Sequence, residues 1–131
     1  MKVIYCGYFL DADELYAKFP PKLARKIDCP HITTKFRPGG TDLYEDWLGQ
    51  ACAVKVVGYA CDDKNEGLLV APLEKFSLGK PHITLSVSED GKPVDTIALN
   101  FAEIEPVEFT AHFGWYCADG SVYFGGKAKR W

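Results

Sequence analysis

The chain has 131 residues, 47% of them hydrophobic and 25% charged, with a net charge of −3. That length closes one hydrophobic core without disulfide staples, and the balance is globular, so residues 1–131 read as a single domain. The acidity counts against long duplex nucleic acid, which is gripped through many Lys and Arg contacts.

No apolar run of about 18 residues occurs, so no membrane span is predicted. The start, Met1-Lys2-Val3-Ile4-Tyr5-Cys6, enters a strand pattern directly and has no signal-like apolar region, so the expected compartment is the cytoplasm. Five cysteines (Cys6, Cys29, Cys52, Cys61 and Cys117) stand at wide spacings, with no CxxC pair. They read as free thiols in a reducing compartment, not as a zinc site.

In chain order, residues 3–10 form a strand by β-branched and aromatic content. Asp11 then caps a helix with Asp13 and Glu14 in its first turn and Leu15 and Phe19 on one side, stopping at Pro20-Pro21. A second strand covers about 29–37 and ends at Pro38-Gly39-Gly40. Thr41 or Asp42 caps a short helical turn holding Leu43 and Trp47. Residues 51–61 are a third strand, 62–67 a polar turn, 68–72 the start of a fourth strand and about 80–88 a fifth. After a turn at 89–93, Val94 to Phe101 form a short helix. A hairpin of 106–117 and 121–126 ends the chain. The class is α+β, rich in strands, with two or three helices.

One repeat carries chemistry. Pro30-His31-Ile32-Thr33 recurs 51 residues later as Pro81-His82-Ile83-Thr84, and two of the chain's three histidines fall at the matched place. Taken singly, each copy is ordinary strand sequence; the matched pair is more specific. Side chains at i and i+2 share a strand face. His31, Thr33 and Lys35 therefore point together, and so do His82, Thr84 and Ser86, opposite apolar neighbours. If the two strands meet, two imidazoles and two hydroxyls converge. One neutral histidine can take a proton from the attacking oxygen, and one protonated histidine can give a proton to the leaving oxygen. Threonine hydroxyls can donate to phosphate oxygens. The arrangement calls for no metal and no cofactor.

At these residues the chain resembles the 2H (two-histidine) phosphoesterase superfamily, whose signature is a pair of His-x-Thr/Ser motifs. It looks most like the small phage and bacterial branch described as RNA-repair-like. The likeness extends to Tyr5 through Leu10 with Asp11-Ala12-Asp13-Glu14 and Phe19-Pro20-Pro21, and to Gly91-Lys92-Pro93-Val94-Asp95. It implies a bilobed, pseudo-two-fold α+β fold with concave antiparallel sheets, the helices packed outside and the motifs at the centre. It implies hydrolysis of a phosphodiester in a nucleotide: a 2′,3′-cyclic phosphate, a 2′-5′ or 3′-5′ linkage, or a cyclic nucleotide signal of the kind that some phage relatives degrade to evade bacterial defence. A phage enzyme of this kind would work in the host cytoplasm. By carry-over His31 and His82 are the acid/base pair, in either assignment, and Thr33 and Thr84 the phosphate contacts. The spacing between the motifs is short for the superfamily, which implies an open site without large lids.

Further candidates for touching substrate are weaker. Tyr5 and Tyr8 lie on opposite faces of one strand, so at most one reaches the cleft. Trp115 belongs to an apolar stripe with Val107, Phe109, Ala111 and Phe113, whereas His112 and Tyr116 share the polar face with Glu108 and Thr110. The basic end, Lys127, Lys129 and Arg130, reads as a solvated tail. The partner implied is a small nucleotide or an RNA terminus. The competing readings are a module that binds a nucleotide in the same His-Thr cleft without cutting it, and an interaction protein with no site.

Overall fold

A computed structural model describes residues 2–36, 43–73 and 80–125, with the backbone alone at Lys35 and Phe36. The expected stop at Pro38-Gly39-Gly40, the cap at Thr41 or Asp42 and the basic tail Lys127, Lys129 and Arg130 lie outside these residues. Strand β1 is Val3–Leu10. Helix α1 follows at Ala12–Lys18; the Asp11 carboxylate accepts from Asp13 N at 3.0 Å, capping the first turn. The amide of Phe19 donates to Leu15 O, and Pro20-Pro21 prevents a further turn. With seven residues, α1 is too short to be stable alone; Leu15, fully buried, ties it to the core.

The remaining strands are β2 (Arg25–Lys26), β3 (His31–Phe36), β4 (Ala51–Cys61), β5 (Asn65–Val70), β6 (His82–Val87), β7 (Ala102–Cys117) and β8 (Val122–Tyr123). All join one sheet in the order β2-β6-β5-β4-β7-β1-β3, with β8 on β7, and each pairing is antiparallel. The α+β class and the antiparallel sheet expected from sequence are present. The two motif strands are not hydrogen-bonded neighbours, since β5, β4, β7 and β1 stand between β6 and β3. They nevertheless touch, so the sheet bends until β3 and β6 meet.

One face of the sheet is the core. Tyr8, Ile32, Val54, Leu68, Ile83, Leu85, Phe109 and Phe113 are buried there, with Trp47 packed against them. The stripe read from β7 is correct for Phe109, Ala111 and Phe113; Trp115 is half-buried, its indole N–H donating to Leu43 O at 2.8 Å.

The register repeats around the two motifs. Gly7 faces Thr33 and Phe9 faces His31 across β1 and β3; Gly67 faces Thr84 and Leu69 faces His82 across β5 and β6. Leu10 N donates to Pro30 O at 3.0 Å, and Val70 N to Pro81 O at 2.9 Å. In both pairs the register then shifts. Cys6 faces Lys35, leaving Thr34 as an extra residue, and Glu66 faces Ser86, leaving Leu85 extra. Glycine is required beside each shift: a Cβ on Gly7 would lie 2.6 Å from Ile32 O, and one on Gly67 2.9 Å from Ile83 O.

Two local expectations change. Strand β5 begins at Asn65, not at Leu68, because Asn65 and Glu66 are buried and find polar partners from distant segments. Among the described residues α1 is the only α-helix. The 45–47 turn and the segment after the second motif, Pro93–Ala98, are 3-10 helices. The latter ends at Ala98, short of the expected Phe101, where Leu99 turns extended (φ −66°, ψ 151°).

Candidate active site

The two imidazoles are held alike. His31 Nδ1 lies 2.8 Å from Cys29 O, and His82 Nδ1 lies 2.8 Å from Lys80 O. A carbonyl only accepts, so each Nδ1 carries the proton and each neutral ring keeps Nε2 as its lone-pair nitrogen. The carbonyl comes from the residue two before the histidine in both copies, and the intervening proline fixes the local backbone.

His31, Thr33, His82 and Thr84 line one cavity of about 440 Å³, within the range of small-ligand sites. Among the described residues Tyr5 and Ile27 also line it, together with Pro93, Val94 and Ile97 of the 93–98 helix. None of these lining residues carries a fixed charge. Among the described residues no group of three or more His, Cys, Asp or Glu side chains could hold a metal ion.

No family model matches the chain, and no curated protein matches it.

The two halves of the cavity have different supports. Tyr5 stacks on His31 with ring centroids 4.6 Å apart, and its hydroxyl lies 3.2 Å from His31 Nδ1. Tyr116 stacks on Tyr5 at 4.9 Å. Because β1 runs between β3 and β7, these two rings occupy the two faces of Tyr5, leaving neither for a base. Phe9 packs on His31 at 5.5 Å. This burial lowers the His31 pKa; the Cys29 carbonyl opposes the shift and the nearby His82 adds to it. Burial, with Tyr116 and Cys29 adding, holds the Tyr5 phenol far above its usual range, so it stays protonated. Thr84 leans instead on the 93–98 helix, 2.8 Å from Thr96 Oγ1 and 3.3 Å from Pro93 O.

The other candidates fall elsewhere. Tyr8 is buried in the core, edge-on to Phe113. Ser86 is fully buried outside the cavity. The extra residue Leu85 reverses the face of Ser86, and the Ser86 hydroxyl donates to Glu66 Oε1 at 2.7 Å. The register shift at Thr34 likewise precedes Lys35, whose side chain lies outside the described residues. His112 is half-buried opposite Phe9 and does not line the cavity. Sequence reasoning missed Ile27, Val94 and Ile97. The signal was an apolar pair three apart in a turn after the second motif; Val94 is 73% exposed and Ile97 37%.

Proposed function

We propose that the chain is a phosphodiester hydrolase of the two-histidine type, with the bilobed, pseudo-two-fold arrangement of the 2H superfamily, acting on a small nucleotide without a metal ion. The observation that carries this reading is the shared cavity of His31, Thr33, His82 and Thr84, with both rings anchored through Nδ1. His31, kept neutral by its aromatic surroundings, takes the proton of the attacking oxygen on Nε2. His82, protonated, gives its Nε2 proton to the leaving oxygen. The bond to the leaving oxygen breaks as the bond to the attacking oxygen forms, and the two protons balance. Thr33 and Thr84 donate to the non-bridging oxygens.

The lining also bears on substrate class. Val94 and Ile97 form an apolar shelf beside Thr84, suited to the flat face of a nucleobase. The test is a panel assayed in EDTA: nucleoside 2′,3′-cyclic phosphates, 2′-5′ and 3′-5′ linked oligonucleotides, cyclic di- and trinucleotides and cyclic ADP-ribose derivatives. Turnover that disappears in H31A and in H82A supports the reading. A ligand that binds without being cut points to a nucleotide-binding module, and an inert panel at high protein concentration ends the proposal.

A further inference from the structure

The Thr84 hydroxyl belongs to a chain of polar groups that runs into the protein. Thr96 is fully buried, and its Oγ1 lies 2.8 Å from Thr84 Oγ1. The same oxygen accepts from Asn65 Nδ2 at 3.1 Å. The orientation of the Asn65 amide is fixed from its other side. Lys92 O, 2.8 Å from Nδ2, can only accept, so the nitrogen must face it. Asn65 therefore spends one N–H on Lys92 O and the other on Thr96. The Thr96 oxygen accepts from Asn65 and retains its own proton, and Thr84 Oγ1 is within reach as its acceptor. Room for Thr96 comes from Gly67: any Cβ there would collide with Thr96 Cγ2.

We infer that Asn65 and Thr96 form a relay that positions the Thr84 hydroxyl for an anion. In the empty cavity Thr84 gives its proton to Thr96 Oγ1 or Pro93 O. With a phosphoryl group present, Thr84 turns its proton onto the phosphate oxygen and Thr96 turns its own onto Thr84. Thr96 Oγ1 keeps the Asn65 N–H in both arrangements, and the Pro93 carbonyl that gives up the Thr84 proton belongs to an exposed residue, so the buried oxygen stays partnered. Neither Asn65 nor Thr96 lines the cavity, so both are positioning residues. The inference rests on the two-histidine reading insofar as the ligand is a phosphoryl anion.

The experiment is a double-mutant cycle. T96V and T96S are made in the wild-type and T84A backgrounds. Affinity for adenosine 2′-monophosphate is read by calorimetry, and kcat/KM is read on the best diester of the panel. The expected result is an affinity loss of about 10-fold for T96V in the wild-type background, the worth of one polar hydrogen bond, and less than about 2-fold in T84A. T96S restores affinity to within about 3-fold of wild type, since it keeps the hydroxyl. T96V should unfold at a lower midpoint, because Asn65 loses its acceptor, and a single cooperative transition well above the assay temperature shows that the fold is kept. A silent T96V, or the same loss in both backgrounds, overturns the relay. If T84A itself leaves affinity and turnover unchanged, or wild type does not bind the nucleotide, the phosphate site fails and the relay with it.

Discussion

Tyr5 and His31 lie face to face, ring centroids 4.6 Å apart, with the phenol oxygen 3.2 Å from the nitrogen that anchors the imidazole. The stack, more than the hydroxyl, determines the state of His31, because burial is the largest cause of its lowered pKa. Tyr5→Phe keeps the ring and should leave the imidazole titration in place, with kcat/KM within about 3-fold of wild type. Tyr5→Ala admits water and should move the His31 pKa up toward its ordinary value of 6.5, at a cost of about 10-fold in kcat/KM. Imidazole NMR titration separates the two variants.

The same shift sets a pH dependence. With His31 as base, the fall of kcat/KM that comes from protonating it should set in only below pH 6.5. Stability follows the same sign. The unfolded chain takes up a proton at His31 before the folded protein does. The stability from a neutral His31 is therefore fully present above pH 6.5 and is lost as pH falls through the lower folded value. Urea unfolding between pH 7 and 5 should show a smaller loss for His31→Asn than for wild type. An equal loss in both would remove His31 as the cause.

Each histidine should be separately necessary. His31→Ala and His82→Ala are each expected to lower kcat/KM by at least about 100-fold, the usual worth of a positioned acid or base. The double variant should lose little more than the worse single one, because the two groups act in one step. Losses that multiply would argue against concerted transfer.

The apolar shelf can be tested without disturbing the fold, because Val94 is 73% exposed. Val94→Asp places a carboxylate beside the bound phosphate and should raise KM by about 10-fold. Val94→Asn removes the apolar contact alone and should raise it by about 3-fold. Unchanged KM in both would show that the shelf does not meet the substrate.

Glu66 is a structural counterpart with no place in the cavity. Its fully buried carboxylate accepts from the Tyr59 hydroxyl at 2.6 Å, the Ser86 hydroxyl at 2.7 Å and Lys22 N at 3.0 Å. It ties the 20–23 segment to the sheet. Glu66→Ala leaves the buried Ser86 hydroxyl without its acceptor and removes the bonds from Tyr59 and Lys22 N, and should cost about 3 kcal/mol by urea unfolding. Glu66→Gln turns an amide N–H toward one of those donors and should lie in between.

How much of this was legible in the sequence depended on how far away the deciding partners were. The faces of His31, Thr33, His82 and Thr84 needed only strand alternation, a property of adjacent residues. That reasoning ends at Thr34 and Leu85, where each strand carries one residue more than its neighbour, and this put Ser86 on the wrong face. Asn65 and Glu66 looked like turn residues because they are polar. Their partners, Lys92 O, Thr96, Ser86, Tyr59 and Lys22 N, arrive from other segments and leave no local trace. The meeting of β3 and β6 depends on the bend of the whole sheet, and residue spacing does not encode it.

Tyr5 stands two residues before Gly7, and Asn65 two before Gly67, so they fill the same slot in the repeated register. One supports a histidine and the other, through Thr96, a threonine. A frame with identical slots would admit a phosphodiester in either direction. Different occupants give the cavity a head and a tail, so a diester bound as proposed would meet different surroundings at its two ester oxygens.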